Sequence, residues 1–487
     1  MSVSGEGVRR GARVAAGPLV FLAILVTPVP GIGPEAHRLL AVFAWTVAYW
    51  VTESLPLPVT ALLSSALCVL LGIAPAQVVL AAYGDPIIFL FIGSFVLAEA
   101  TKTTGLDRRF AFAVLERSWA SRTPARLLLS VGVVTCFLSL WLSNTATTAL
   151  MLPVGVGLLR AIGHGDGGSR FATGLLLMLT WASSVAVGLP IGSPPNLIAL
   201  AMVRDFTGRR LTFFDWASVA MPLTVVMLLL CWTILHRSYG ESRTDLDVGA
   251  YAVAERERLG AWTDGQRVVL GVFLFAATLW MLPGVVAIVA GAEAGVTRLL
   301  EARLPESVVA LLAAILLFVL PAERRPWQPV LAWRDATRID WGTVLLFGGS
   351  LTLGRLMFET KLAGALGGAL LHLSAGDLWA ITALAIVLGI ALSEISSNTA
   401  AASTLVPLVI VVAGSAGVSP IPPAMGAALG ASFGFMLPVS TPPNAIIYGS
   451  RLVPLNAMIR SGIVLDVAGA ALIWVGLRIL CPLLGVL

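Results

Sequence analysis

Apolar runs separated by short polar or arginine-bearing stretches extend from Gly17 to the last residue of this 487-residue chain. A helix needs roughly 20 apolar residues to cross the hydrocarbon core of a bilayer. On that measure, hydropathy and helix-breaking residues predict eleven spans, near 17–32, 38–54, 58–75, 85–103, 171–203, 211–236, 267–291, 304–321, 341–358, 423–450 and 461–486. Two further apolar segments, 124–160 and 378–413, are interrupted by polar residues, a pattern that predicts re-entrant helical hairpins. The expected fold class is an all-α integral membrane protein with about eleven transmembrane helices and two hairpins.

Both interruptions use one phrase, Ser143-Asn144-Thr145-Ala146 and Ser397-Asn398-Thr399-Ala400. Each is followed by a second phrase that breaks another apolar segment, Gly192-Ser193-Pro194-Pro195-Asn196 and Val439-Ser440-Thr441-Pro442-Pro443-Asn444. The pairs keep nearly constant offsets: 254 residues for Asn144 and Asn398, and 248 for Asn196 and Asn444. Ala61-Leu62-Leu63 recurs as Ala310-Leu311-Leu312, and Phe91-Ile92-Gly93-Ser94 as Phe347-Gly348-Gly349-Ser350. Four pairs in one order imply a duplicated half, about 36 to 236 and about 285 to 487, each with five spans and one hairpin. An odd number of spans makes the halves enter the membrane from opposite sides, the inverted repeat common in secondary transporters.

Composition narrows the class. With 58% hydrophobic and 12% charged residues and a mean hydropathy of +0.93, the chain is no ordinary soluble globule, whose charged content is about twice as high. The net charge of +5 comes without a dense basic tract or an aromatic-interleaved motif, so no nucleic-acid partner is expected. With the N-terminus inside, 22 of the 31 Lys and Arg fall on the cytoplasmic side, 8 outside, and Arg478 within the last span. That asymmetry predicts a cell (inner) membrane protein with a cytoplasmic N-terminus and an outer C-terminus. Met1–Ala16 precedes an apolar stretch without a small-residue cleavage site, which predicts a retained first span. The stretch 107–126 interleaves Arg108, Arg109, Arg117 and Arg122 with Phe110, Phe112, Val114, Leu115 and Trp119; it reads as an amphipathic helix on the inner surface, with 360–373 as an outer counterpart. Cys68, Cys136, Cys231 and Cys481 have no CxxC or Cys/His spacing and are expected to pack.

The repeated phrases carry the chemistry. A backbone turn at membrane depth frees N–H groups that attract anions and carbonyls that attract small cations. Ser-Asn-Thr adds hydroxyls and amides that donate and accept. One isolated copy would be a helix cap, and one isolated Pro-Pro-Asn a kink. Two copies in equivalent apolar settings point to a binding site, with Pro194-Pro195 and Pro442-Pro443 expected to break their helices near mid-membrane. None of the four phrases contains Lys or Arg. A dianion there must be neutralised by dipoles, neutral donors and bound small cations, which points to Na+ as the coupling ion and to no other cofactor. Glu394 is expected to satisfy backbone donors near the second tip, with a cation-linked or protonation role as the alternative. Glu53 and Glu99 read as structural, and His37, His164, His236 and His372 lie in loops or at span ends. There is no HExxH and no GxSxG, and the acids and histidines form no catalytic set, so an enzyme is not expected.

At these phrases, and at Thr52-Glu53-Ser54-Leu55-Pro56-Leu57-Pro58-Val59-Thr60, the chain from about 36 to its end resembles the divalent anion:sodium symporter family, which includes di- and tricarboxylate transporters. The resemblance implies a homodimer working as an elevator. Its parts would be 1–35 as N-terminal segment and first span, 36–123 and 267–377 as scaffold, 124–236 and 378–487 as transport parts, and 237–266 as a cytoplasmic linker. It further implies that Ser143, Asn144, Thr145, Ser397, Asn398 and Thr399 hold substrate carboxylates beside Thr441 and Pro442. One Na+ would take Ser139, Ser143, Asn144 and the Gly192 backbone, the other Ser393, Ser396, Asn398 and the Ser440 backbone. The implied activity is Na+-coupled symport of C4-dicarboxylates such as succinate, malate and fumarate. Alternatives are Na+-independent exchange, citrate or sulfate symport, and a channel-like anion or metalloid pathway. Family exchangers are expected to carry a basic side chain near the cation positions, and none is present here. Ser193 stands where the second half has Thr441, so the two halves of the site differ.

Overall fold

The computed structural model describes residues 3–117, 119, 122–164, 169–241, 249–324 and 327–487. Met1 and Ser2, part of the 107–126 stretch and part of the 237–266 linker lie outside these residues. Among the described residues six stretches are long and apolar enough to cross a membrane: Ala76–Thr104, Phe213–Tyr239, Asp264–Ala290, Leu378–Ile395, Asn398–Ser415 and Leu455–Leu483. Counting Gly295–Arg303 and Glu306–Val319, bent by 54°, as one broken span gives up to seven. Leu70, Ile288, Val289 and Leu483 are each more than 70% exposed, as apolar side chains facing hydrocarbon would be.

Of the other expected spans, 17–32, 38–54 and 341–358 lie on the single helices Val3–Val26, Pro34–Thr52 and Trp341–Glu359, 58–75 is the shorter helix Leu57–Leu70, and two are helices in pieces. The segment predicted as 171–203 consists of Arg170–Ser184, a 3₁₀ turn Pro190–Gly192, and Pro194–Thr207. The segment 423–450 consists of Ile421–Ala431 and Pro442–Gly449. The paired prolines therefore do not break helices from within, as the sequence suggested. They occupy the first turn of the following helix, where the missing N–H has no intrahelical partner to lose. The break lies upstream, in turns and irregular backbone that end in an extended Ser193 or Thr441.

The two interrupted segments are helix–break–helix units, Pro124–Ser139 with Asn144–Ala161 and Leu378–Ile395 with Asn398–Ser415, each packed on itself. Ser143 and Ser397 cap the second helices, accepting from the backbone N–H of Ala146 and Ala400 at 3.3 and 3.2 Å.

Contacts between the halves are reciprocal. The helix Pro86–Thr104 packs on Glu306–Val319, and Trp341–Glu359 packs on Leu57–Leu70. At the first crossing a Cβ on Gly93 would lie 2.6 Å from the Ala310 carbonyl; at the second, one on Gly349 would lie 2.7 Å from Ala61 Cβ. These glycines and alanines are the repeated pairs of the sequence. The equivalent rings Phe91 and Phe347 meet between the crossings at 5.0 Å.

Two features depart from the all-α expectation and from the amphipathic helix. A small antiparallel ribbon pairs Pro321–Arg324 with Trp327–Pro329. The helix expected across 107–126 covers Leu106–Leu115, and Arg109 is buried. Its Nη2 reaches the carbonyls of Leu259, Gly260 and Ala261, and its guanidinium lies 5.1 Å from the Trp262 ring. The arginine thus docks the helix on the linker. The stretch 360–373 forms the helix Leu362–Ser374.

Candidate functional site

Each half builds a pocket of neutral oxygens from its interrupted helix. In the first, the Ser139 hydroxyl lies 2.8 Å from Asn144 Oδ1 and 3.0 Å from the Ser183 carbonyl. In the second, Ser393 donates to Asn398 Oδ1 at 2.7 Å, and Asn398 Nδ2 points at the Ser432 carbonyl at 3.4 Å. A serine hydroxyl has one proton to give, so the first cluster holds more acceptor lone pairs than donors. That surplus favours a small hard cation.

The phrases after the breaks complete these pockets. A Cβ on Gly192 would sit 2.5 Å from the Ala186 carbonyl and 3.5 Å from that of Leu140, so only glycine lets the backbone come this close. In the second half Gly434 has the Oγ atoms of Ser440 and Ser393 within 2.0 and 3.1 Å of a Cβ position, and Ser440 donates to the Gly434 carbonyl. The structure therefore gathers Ser139 and Asn144, and separately Ser393, Asn398 and Ser440, as the sequence grouped them. It does not turn the Ser396 side chain to that group: its hydroxyl donates to Leu392 in its own helix. Ser143 and Ser397 use their hydroxyls as caps, and Thr441 Oγ1 caps the Asn444 N–H at 3.3 Å.

The asparagines of the Pro-Pro-Asn phrases are structural braces. Both are fully buried. Asn196 Nδ2 donates to the carbonyls of Val187 and Leu189, and Asn444 Nδ2 to those of Gly434 and Leu437. They hold open backbone that has no ladder of its own. Asn444 Oδ1 also accepts from Thr180 Oγ1 at 2.7 Å, and Ser193 meets Ser432 at 3.0 Å, which ties the halves together. The Pro442–Gly449 helix packs on Asn144–Ala161, and Pro194–Thr207 on Asn398–Ser415. Four helix N-termini thus start from these linked breaks; those at Asn144 and Asn398 present free N–H groups and a positive dipole end, whereas those at Pro194 and Pro442, whose first two residues are prolines, offer the dipole with few N–H groups.

Sequence reasoning missed Thr180, Ser183 and Ser432, small polar residues inside apolar runs, whose only local signal is that polarity. Glu394 does what its simpler reading proposed, accepting from the N–H groups of Met436 and Leu437 at 2.8 and 3.1 Å. Asp466 was not anticipated; it is buried against Glu394.

The Ser143 tip borders a cavity of about 700 Å³. Its charged lining is balanced, Lys102, Arg108 and Arg338 against Glu99, Asp107 and Asp340. Cationic side chains absent from the phrases are therefore present in the approach to them. Other ion pairs join Arg210 with Glu306, Arg256 with Glu116, and His164 with Glu241.

The model of the sodium:sulfate symporter transmembrane region matches residues 12–486. The chain is 31% identical over 478 residues to the sodium-dependent dicarboxylate transporter SdcS of Staphylococcus aureus, covering 94% of this chain and 88% of that protein. It is 29% identical over 465 residues to SdcS of Staphylococcus saprophyticus, covering 92% and 86%. The YdaH transporter of Alcanivorax borkumensis shares the fold with a TM-score of 0.53 at 14% identity, covering 81% of this chain and 85% of that one. MtrF of Neisseria gonorrhoeae does so with 0.54 at 12% identity, covering 89% and 97%. A family match over nearly the whole chain, on an α-helical membrane fold with doubled neutral-oxygen pockets, makes this protein a transporter of the divalent anion:sodium symporter family and not an enzyme.

Proposed function

We propose that this protein moves C4-dicarboxylates such as succinate, malate and fumarate across the cell membrane together with Na+. The observation that carries the reading is the pair of pockets built on Ser139–Asn144 and Ser393–Asn398, neutral, oxygen-rich and set beside helix N-termini. Cations in the pockets would offset the charge of a dicarboxylate held by the Asn144, Thr145, Asn398 and Thr399 groups at the adjoining helix starts. One Na+ takes Ser139, Ser143, Asn144 and Gly192, and the other Ser393, Ser396, Asn398 and Ser440, the Ser396 hydroxyl turning from Leu392 to do so. The names of the SdcS relatives support both Na+ dependence and the dicarboxylate class.

The wider frame belongs to the same proposal: re-entrant hairpins, eleven spans, a homodimer, a cytoplasmic N-terminus, and transport parts 124–236 and 378–487 moving as an elevator against scaffold parts 36–123 and 267–377. The glycine–alanine crossings of the halves support a rigid frame of that kind. The test is uptake of labelled succinate into proteoliposomes, with malate, citrate and sulfate as competitors. An inward Na+ gradient should drive accumulation, and Asn144→Ala or Asn398→Ala should abolish it while the protein stays folded. Equal uptake in K+ would refute Na+ coupling, and normal transport by either variant would refute the site.

A further inference from the structure

Four charges close a ring at the end of the chain's central packing opposite the Ser143 cavity. Asp85 Oδ2 accepts from Arg204 Nη2 at 2.7 Å and Arg355 Nη2 at 2.6 Å. Asp205 accepts from Arg204 through Oδ1 at 2.7 Å and from Arg355 Nε through Oδ2 at 2.7 Å. The charges cancel, and the Asp85 side chain is 3% exposed, its Oδ1 capping the helix Pro86–Thr104. Charge-assisted, multidentate pairs of this kind are directional, and breaking one strands a desolvated charge.

The ring joins different parts of the molecule. Asp85 caps the start of Pro86–Thr104 and Arg355 sits on Trp341–Glu359, two helices of the glycine–alanine crossings. Arg204 and Asp205 sit on Pro194–Thr207, the helix that starts at the first Ser-Pro-Pro-Asn phrase.

The duplication supplies an internal control. At the offsets of the repeat, Asp85 corresponds to Asp340 and Arg355 to Glu99, whereas Arg204 and Asp205 correspond to Leu452 and Val453. These positions lie past the end of the helix Pro442–Gly449, where Arg451 stands one residue earlier but has no neighbouring acid like Asp205, so no matching ring can close. Asp340 and Glu99 instead line the cavity of about 700 Å³ that reaches Ser143. Equivalent frame positions are thus bound to a site helix on one face and border open space on the other.

We infer that the Asp85–Arg204–Asp205–Arg355 ring is an access lock, which holds the protein in the state whose Ser143 tip opens to the cavity and which must break before the site can face the other side. The inference rests on alternating access as proposed above. The lock acts by differential stability, since it contributes only to the state in which all four groups meet.

Ala149 is exposed and lines the cavity outside the pockets, and the four native cysteines are buried. Ala149→Cys therefore gives a reporter for an impermeant maleimide in right-side-out and inverted vesicles, without substrate or Na+. With the ring intact, labelling should come from the cavity face alone. Arg355→Gln and Asp205→Asn should each lower that rate about fivefold by shifting the population. Arg355→Lys, which keeps the charge with fewer donors, should fall between and serves if the other variants do not fold. Unchanged labelling in folded ring variants overturns the lock, whatever their uptake. Because no substrate is present, a failure of the dicarboxylate reading leaves this readout intact.

Discussion

Gly192→Ala puts the cation reading at risk with one methyl group. The added Cβ would lie 2.5 Å from the Ala186 carbonyl oxygen, a backbone atom. That oxygen cannot swing away as a side chain could, because Asn196 grips the carbonyls of Val187 and Leu189 next to it at 3.2 and 3.0 Å. The backbone must shift by several tenths of an ångström. Overpacking of this sort costs about 1–3 kcal/mol. If the shift spreads the oxygens of the first pocket, that cost appears as a loss of Na+ affinity of about fivefold to more than a hundredfold. The assay is the Na+ dependence of initial succinate uptake in proteoliposomes at saturating succinate, with a melting curve in detergent to register any general loss of stability. The expected result is a half-saturating Na+ concentration raised at least about fivefold, with succinate saturation at high Na+ changed less. An unaltered Na+ dependence in a protein that melts normally would place the cation elsewhere. Gly434→Ala is the companion: its nearest neighbour is the Ser440 hydroxyl, so it should disturb the second pocket through a side chain.

Other predictions follow from single contacts. Gly93→Val and Gly349→Val drive bulk into Ala310 and Ala61 and should each lower stability by about 1–3 kcal/mol, read as a drop in melting temperature; tolerance of either would mean that the crossing is loose. Asn444→Ala loses three hydrogen bonds and Asn196→Ala two, so at about 1 kcal/mol per bond the first should be the more destabilising; the reverse order in detergent melting would refute the bracing role. Burial pushes the Asp107 carboxyl from 3.8 up to about 6, outside the predicted spans. Its protonated form favours the folded state, so the contribution is full below about pH 4, is lost as the pH rises through 6, and amounts to at most about 3 kcal/mol. Asp107→Asn should therefore raise the melting temperature more at pH 7.5 than at pH 4.5, and an equal gain at both would show that the charge is not the cause.

The resemblance of phrases such as Ser143-Asn144-Thr145 and Ser397-Asn398-Thr399 was enough to point to a candidate site because each is short, local and repeated. Reading their partners was harder. Pro194 and Pro442 looked like breakers of continuous helices, yet they begin helices, since proline's missing N–H is harmless at N1 and only the tertiary path shows where the helix starts. Ser396 sat at the right spacing but bonds to its own helix. Arg109 fitted a water-facing stripe and is instead buried against the linker, because the carbonyls that receive it come from 150 residues further along.

The sequence by itself determined that this chain is an α-helical membrane protein, that its motifs are duplicated, and that polar breaks recur at matched positions of the two halves. These follow from hydropathy and short-range covalent constraint, which any local stretch expresses. Tertiary structure alone decided which polar atoms are spent on bracing and which are left to bind. Thr180 with Asn444, Ser193 with Ser432, and the charges of Asp85, Arg204, Asp205 and Arg355 lie far apart in the chain. Their pairing depends on how closely the helices approach. Gly93 and Gly349 set such an approach at the crossings with Ala310 and Ala61, and its energy resides in packing between segments, which no single stretch contains.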